Sequence, residues 1–261
     1  MSEASSEFYY PLYSALGYFA FVFGVGEISR ILAAKYTKGN AQLFLYELIG
    51  TIQMCTCVYE NGVIFKNYGF PAILSLTNCA PIIEQYYYNN CSSTKLLTVL
   101  TAQLIGATFA SKFAYAIWNL TAAYSTAHFE NAAQLDCVLQ YKQSAGVVIG
   151  FEIAGAFLVR VVVAYLAARP SLAKTIPFAI SLYLTAALYI VGVPGLNPIV
   201  ATARLYGCQG IDNHSFLVLY WICPIVGWIL GSHFVGTAGP VKKSSKEAKA
   251  EKKLKAAKKA N

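Results

Sequence analysis

The chain has 261 residues, of which 57% are hydrophobic and only 12% are charged. That balance excludes an ordinary soluble domain, because long stretches such as Pro11–Gly26 and Ser215–Val241 carry no charge at all. A helix needs about 20 mostly apolar residues to cross a bilayer. The sequence therefore predicts an all-α integral membrane protein whose partner is the lipid bilayer.

Apolar runs predict six spans, after an N-terminal segment of residues 1–10. This segment has Glu3 and Glu7 but no basic residue, which argues against a cleaved signal peptide. A shorter apolar piece, Val63–Thr77, is interrupted by Lys66, Asn67 and Pro71. The predicted spans are Pro11–Ala33, Gln42–Tyr59, Leu96–Leu120, Ala145–Ala168, Ile176–Val193 and Phe216–Val235. They form one membrane domain, residues 11–240.

The formal net charge of +8 comes almost entirely from the tail, residues 241–261. The tail holds nine Lys and two Glu, which leaves +1 for the rest of the chain. Lysines directly after a span are typical of a cytoplasmic segment. Nucleic acid is excluded as a partner, because no folded nucleic-acid-binding module accompanies the tail.

The two halves of the membrane domain repeat one pattern, over about 42–120 and 143–236. Each half has a membrane Glu, then an Asn, then a helix with a small residue: Glu47, Asn78 and Gly106 in the first, Glu152, Asn197 and Gly227 in the second. The Asn and the Gly are 28 residues apart in the first half and 30 in the second. If each half crosses the membrane an odd number of times, the two halves have opposite orientations and form an inverted repeat. The functional site of such a repeat lies near the midplane of the membrane.

Asn197 and Pro198 interrupt the second half where a span would be expected to continue. Pro is well placed as the first residue of a helix, and Asn as its cap. A half-helix that begins inside the membrane exposes N–H groups and partial positive charge. Water and small hydroxyl compounds can form hydrogen bonds there, while protons and cations are repelled.

These motifs resemble those of the aquaporin family. The resemblance rests on Asn78-Cys79-Ala80, Asn197-Pro198-Ile199, and the pair Glu47 and Glu152. Within the family, the chain most resembles the superaquaporins of the eleven and twelve type. In these proteins the first Asn motif is degenerate, and a Cys follows nine residues after the end of the second Asn motif. Cys208 stands at that position, and Pro11–Ala33 matches the extra apolar segment of the animal members.

The resemblance implies about six spanning helices in two inverted repeats, with two re-entrant half-helices that bear the Asn motifs. It implies a channel for water and small neutral solutes, assembled as a homotetramer, with no enzymatic activity and no cofactor. Glu47 and Glu152 are then expected to hold the backbone of the re-entrant loops. A proton relay is the less favoured alternative, because no second titratable chain follows them.

Two departures from the family pattern concern the pore motifs. Common aquaporins have Arg three residues after the second Asn, where this chain has Val200, and its nearest Arg is Arg204. Val200 and Arg204 are candidates for the filter; alternatively, Arg204 serves only at a helix end or the membrane interface. Val200 predicts a wider, more apolar constriction that admits glycerol or hydrogen peroxide beside water. Cys79 replaces the Pro of the first motif. A proline ring fixes φ at its own position, so the first half-helix is expected to lose that constraint.

The first repeat is short by 14 residues. Glu152 and Asn197 are 45 positions apart, whereas Glu47 and Asn78 are only 31 apart. The hypothesis is a splice form or gene model that lacks most of one span, with a non-conducting assembly or partner-binding protein as the alternative function. Without that span, Arg30, Lys35 and Lys38 are expected outside, against the positive-inside rule.

The remaining polar residues predict location rather than chemistry. The Cys and His residues show no metal-ligand spacing, and no catalytic cluster is evident. Glycosylation sequons begin at Asn119 and Asn213, on the predicted outer side. The ending Lys258-Lys259-Ala260-Asn261 fits a dilysine signal, which favours the endoplasmic reticulum or another internal membrane.

Overall fold

A computed structural model describes residues 3–68, 78–133 and 137–236. The described residues form eleven α-helices, α10 and α11 being joined by a π-helical turn, Val218–Ile222, into one rod. In chain order the helices are α1 Glu3–Tyr36, α2 Gly39–Tyr68, α3 Ala80–Tyr87, α4 Ser93–Thr121, α5 Thr126–Ala133, α6 Ala145–Ala167, α7 Pro170–Ala173, α8 Ile176–Val191, α9 Pro198–Leu205, α10 Asn213–Leu217 and α11 Cys223–Val235.

The predicted spans are present, because long apolar helices occupy the predicted positions. Five described segments are long and apolar enough to cross a membrane: Pro11–Tyr36, Gly39–Tyr68, Ser93–Thr121, Ala145–Ala167 and Asn213–Val235. The sixth, α8, is apolar with 16 residues. The prediction of an all-α membrane protein with about six spans is confirmed.

One predicted boundary is wrong. The sequence indicated a break between Tyr59 and a short piece beginning at Val63, but α2 continues without interruption to Tyr68. Asn67 stays helical because its Nδ2 donates to the Val63 carbonyl oxygen at 2.8 Å, within the helix's own backbone. The rest of that piece, including Pro71, lies outside the described residues.

The two repeats pack in the same way, through glycines that follow the predicted pattern. A Cβ added at Gly106 would lie 3.1 Å from the carbonyl oxygen of Leu48, the residue after Glu47. A Cβ at Gly227 would overlap the carbonyl oxygen of Ile153, the residue after Glu152. Each small residue therefore allows one helix backbone to approach another at an equivalent point of its repeat.

Helices α2 and α4 run in the same direction. Near the start of both helices Gln103 Nε2 donates to Glu47 Oε2 at 2.9 Å, and near their ends Trp118 Nε1 donates to Glu60 Oε2 at 2.8 Å. We call the face at the end of α4 the outer face, because it holds the long loop that the sequence places outside. Helix α2 therefore begins at the inner face and ends at the outer face.

The chain returns to the inner face between the ends of α2 and α3. Lys66, in the last turn of α2, lies 3.9 Å from Glu130 on the outer face, whereas Gln85 near the end of α3 accepts from Lys95 Nζ at 3.4 Å on the inner face. Only nine residues, 69–77, separate Tyr68 from Asn78, so no membrane-length helix fits between them. The predicted truncation of the first repeat is thus present.

The inference drawn from the cations is wrong. Helix α1 packs antiparallel to α2 across a two-residue linker, so Arg30 and Lys35 lie at the inner end of α1, and Lys38 lies in the linker itself. They are on the same face as Lys95, in agreement with the positive-inside rule. The sequence analysis assumed that the chain needs a full helix to cross the membrane between Tyr59 and Asn78. The described ends of α2 and α3 lie at opposite faces although no full helix fits between them, so that assumption was wrong.

Candidate permeation site

The second Asn motif begins a half-helix, α9. Asn197 is its cap: its Oδ1 accepts from the backbone N–H groups of Ile199 at 3.1 Å and Val200 at 3.5 Å. Pro198 is the first helical residue, so its missing N–H removes no intrahelical hydrogen bond. At the other end, the Tyr59 hydroxyl donates to the Ala203 carbonyl and fixes α9 against α2.

The loop that leads into α9 is held by Glu152. The carboxylate of Glu152 is fully buried and accepts from Gly195 N at its Oε1 and from Leu196 N at its Oε2, each at 2.6 Å. Leu196 has a φ of +52°, which a non-glycine residue adopts rarely. A Cβ at position 195 would overlap the ring of Tyr220, so glycine is required there. This geometry is the one that the loop-holding role of Glu152 needs.

The first Asn motif begins the matching half-helix, α3. Asn78 Oδ1 accepts from Ala80 N at 2.9 Å, and Cys79 is completely buried. The expected loss of a preset φ is partly offset, because Pro81 lies in the first turn of α3. Sequence reasoning considered only the position directly after Asn78 and overlooked this Pro.

Glu47 differs from its counterpart Glu152 in its partners. Its described hydrogen bond is with Gln103 Nε2, and it lies half-buried at the inner end of α2. The backbone that it was expected to hold precedes Asn78 and falls within residues 69–77, outside the described residues. The loop-holding role therefore stays a prediction for Glu47.

One cavity brings the two Asn motifs together. Its volume is about 410 Å³, and Asn78, Asn197, Val200 and Arg204 all lie in its wall. Ile199 is completely buried behind this wall. Most of the remaining wall is apolar and comes from α2, α6 and α8, including Val58, Phe65, Val159, Ile180, Leu184 and Leu188.

A second cavity, of about 500 Å³, lies on the inner side of α3. Its wall is more polar and includes Glu47, Gln85, Lys95 and Gln103. Asn78 and Pro81 line both cavities, so the two spaces lie on either side of the start of α3. Together they extend from Arg204 towards Lys95, which lies on the inner face.

Sequence reasoning missed two buried clusters that contain acidic side chains. In the first, Glu60 accepts from Trp118 Nε1 at 2.8 Å and lies 3.1 Å from His128 Nε2, with Glu60 and His128 fully buried. In the second, Glu84 pairs with Arg160. The available signal was a charged residue inside or beside an apolar run, which calls for a buried partner.

A disulfide between Cys137 and Cys208 joins the outer loop to the segment after α9. Two backbone hydrogen bonds reinforce it: Leu139 N donates to Gln209 O at 2.9 Å, and Gln209 N donates to Cys137 O at 2.8 Å. The sequence marked Cys208 as a subfamily residue but identified no partner for it.

Within the described residues, no group of three or more potential ligands could hold a metal ion.

The two sequons lie on the same face as this disulfide. Asn119 is exposed in the last turn of α4, and Asn213 is exposed at the start of α10, shortly after Cys208. Disulfides persist in oxidising compartments such as the lumen of the endoplasmic reticulum. The positions of both sequons agree with the outer face being that side, whereas their modification stays a prediction.

Comparisons with known proteins find relatives among the aquaporins. No family model matches the chain. The chain is 68% identical to aquaporin-10 of Caenorhabditis elegans, covering 98% of each chain, and 24% identical to aquaporin-11 of Milnesium tardigradum, covering 93% and 94%. Among solved structures it is similar to the aquaglyceroporin of Plasmodium falciparum, with 16% identity, 86% and 93% coverage and a TM-score of 0.46.

The first of these alignments is longer than the chain itself. It runs over 275 positions and covers 98% of the 261 residues, which is about 256 residues. The Caenorhabditis elegans protein therefore has about 19 residues that are opposite gaps in this chain.

Proposed function

This chain belongs to the aquaporin family, and we propose that it is a channel for the passive permeation of water and of small neutral solutes such as glycerol and hydrogen peroxide. One observation carries the proposal: the two Asn residues that begin the half-helices line the same cavity. Members of the family are channels, which supports the proposal of a channel rather than an enzyme.

The chemistry of permeation follows from the half-helices. The positive ends of the helix dipoles at the starts of α3 and α9 create a positive potential in the cavity, which repels protons and cations but accepts neutral dipoles. The Asn78 and Asn197 side chains supply polar groups beside that potential. The apolar wall opposite contacts the carbon atoms of a polyol, so water and a small polyol can both pass.

The outer end of the cavity sets which solutes enter. Val200 occupies the position at which common aquaporins have Arg, and half-buried Arg204 lies one turn further along the same face. A valine narrows the path less than an arginine and offers no hydrogen bond. We propose that Arg204 supplies the filter cation further outwards and that glycerol and hydrogen peroxide pass beside water.

The location and the assembly of the channel are proposed from its lysine tail and from its family. The dilysine ending, outside the described residues, supports retention in the endoplasmic reticulum, with the tail cytoplasmic. A homotetramer is proposed from family membership. Of the small residues on α6, Gly155 and Ala156 are buried within the chain, whereas Gly150 has open space beside it and is available for contact with another subunit.

Stopped-flow shrinkage of proteoliposomes tests the proposed function. The purified chain is exposed first to a sucrose gradient and then to a glycerol gradient, and shrinkage is compared with that of empty liposomes. Val200→Trp is the blocking variant, because it fills the cavity while it leaves the Asn197 cap in place. We expect fast shrinkage for the parent chain and the rate of empty liposomes for Val200→Trp.

A matched control separates a blocked pore from a misfolded protein. Val226→Trp makes the same substitution on the exposed surface of α11, where Val226 is 42% exposed. This control should shrink as fast as the parent chain. If the correctly inserted parent shrinks no faster than empty liposomes, the proposed function is wrong and the non-conducting alternative, which the relatives do not favour, replaces it.

A further inference from the structure

A buried ion pair connects the first half-helix to the second repeat. Arg160 Nε donates to Glu84 Oε2, and Arg160 Nη2 donates to Glu84 Oε1, each at 2.8 Å. Trp228 Nε1 donates to Glu84 Oε2 at 2.6 Å. Glu84 lies on α3, Arg160 on α6 and Trp228 on α11, so three elements meet at one carboxylate. We call these three residues the α3 clamp.

The α3 clamp is buried and closely packed. Glu84, Arg160 and Trp228 are all at least nine-tenths buried. A Cβ added at Gly231 of α11 would lie 2.9 Å from Arg160 Cβ and from the Phe157 carbonyl oxygen, so only glycine leaves room for the arginine. A bidentate Arg–carboxylate pair in such a site fixes orientation as well as distance.

The clamp is directly connected to the proposed pore. Trp228 itself lines the 410 Å³ cavity, together with Asn78 and Pro81 from the start of α3. The N–H group that Trp228 donates to Glu84 therefore sets the position of a ring in the cavity wall. A shift of α3 would move Asn78, Pro81 and this ring together.

Helix α3 needs such an anchor more than α9 does. Helix α9 has a cap with two hydrogen bonds, a preceding loop held by Glu152, and a disulfide shortly after its end. In α3 the described cap is one hydrogen bond from Ala80 N to Asn78, and the motif has Cys79 in place of Pro. The full helix expected before Asn78 is also absent from the sequence.

We propose that Glu84 and Arg160 are positioning residues that hold α3 and Trp228 in the pore wall and thereby set the solute selectivity of the channel. This inference rests on the proposed function for its effect on solutes, but not for its effect on α3. The clamp stabilises the first half of the pore in a chain that lacks most of one span.

Two conservative variants test the clamp. Arg160→Lys keeps the positive charge but loses the two-pronged geometry, and Trp228→Phe keeps an aromatic ring but loses the N–H donor. Trp118→Phe is the matched control, because Trp118 is also buried, also donates to a glutamate, and lines neither of the two cavities described above. Each protein is reconstituted at the same inserted amount.

Two measurements decide the outcome. We expect both clamp variants to change the glycerol-to-water permeability ratio by about twofold or more, since a loosened support displaces groups in the site. We also expect faster hydrogen–deuterium exchange in peptides that cover α3. Trp118→Phe should leave both the ratio and the exchange of α3 unchanged.

Every result bears on one of the two proposals. If hydrogen–deuterium exchange of α3 is unchanged in both variants, the proposal that the clamp holds α3 is wrong. Faster exchange with an unchanged solute ratio, in a parent chain that conducts, shows that the pair is only structural and overturns the positioning role. If the parent does not conduct, the proposed function fails, and exchange alone decides whether the clamp holds α3.

Discussion

At the scale of single residues, Glu152 shows how a carboxyl group is accommodated inside an apolar helix. Both of its oxygens accept from consecutive backbone N–H groups, so the carboxylate replaces the helical hydrogen bonds that the loop before Asn197 lacks. Irregular backbone at membrane depth is tolerated only when its polar groups find such partners. The strained conformation of Leu196 is therefore maintained by one side chain.

We predict that Glu152→Gln destabilises the loop and abolishes rapid water permeation. The glutamine side chain has one acceptor oxygen and one NH2 donor, so it can accept from only one of the two N–H groups, Gly195 N or Leu196 N. The other buried N–H would have no acceptor, at a cost of about 1–3 kcal/mol. The midpoint of thermal unfolding in detergent and the stopped-flow rate measure the two effects. Glu130→Gln, at a carboxylate that is 67% exposed, is the control. Parent-like permeation by Glu152→Gln would contradict the loop-holding role.

At the scale of helices, the close approach of α6 and α11 depends on glycine. Gly227 has no room for a side chain, because Cβ would overlap the backbone of Ile153 and the obstacle cannot rotate away. In the equivalent contact of the first repeat, a Cβ at Gly106 would lie 2.8 Å from Thr51 Cβ, 3.0 Å from its methyl group and 3.1 Å from the Leu48 carbonyl oxygen. The second repeat is thus the tighter of the two.

Gly227→Ala is expected to destabilise the chain by roughly 1–3 kcal/mol, because the added methyl forces two helix backbones apart. Fluorescence-detected size exclusion after expression measures the loss as a smaller monodisperse peak. Gly146→Ala is the matched control on α6, since a Cβ at position 146 meets nothing within 4 Å. Equal peaks for the two variants would show that the close contact of α6 with α11 is wrong.

The disulfide connects two further elements, the outer loop and the end of α9. We predict that reduction, or Cys208→Ser, lowers the stability of the outer face by about 2–4 kcal/mol, since the bond closes a long loop. Thermal unfolding midpoints with and without reductant measure this loss. Cys91→Ser, at a free cysteine, should keep the parent's sensitivity to reductant, whereas Cys208→Ser should lose it. Reductant sensitivity in Cys208→Ser would contradict the pairing.

The sequence predicted the helices better than the contacts between them. Apolar length and the Asn motifs were sufficient for most of the spans, for the half-helices α3 and α9, and for the Asn197 cap of α9, because these signals are local. The pairs Glu84–Arg160, Glu60–His128 and Cys137–Cys208 lie 76, 68 and 71 residues apart, so no local pattern could identify them. The end of α2 was misplaced because the predicted span was ended at Tyr59 and the piece from Val63 was treated as separate, although α2 continues through it to Tyr68.

At the scale of the whole molecule, the short first repeat changes how the chain crosses the membrane without changing the number of crossings. The described residues place the end of α2 at the outer face and the end of α3 at the inner face, and α3 is the described helix that lies between Tyr68 and Tyr87. Origin as a splice form or gene model stays a prediction. A transcript with no in-frame extra segment between Tyr68 and Asn78 would contradict it.

This arrangement predicts that the two ends of the chain lie on opposite sides of the membrane. Ser14 Oγ of α1 donates to Ser125 Oγ at 3.1 Å on the outer face, whereas Tyr88 of the inner face pairs with Ser232 near the end of α11, again at 3.1 Å. In sealed microsomes, a tag before α1 should resist added protease and a tag after the lysine tail should be digested. Detergent should expose both tags to the protease. Digestion of both tags in intact microsomes would mean that the two ends of the chain lie on the same side of the membrane. In that case α1 and α2 would be inserted in the opposite orientation, and the chain would not cross the membrane between Tyr68 and Tyr87.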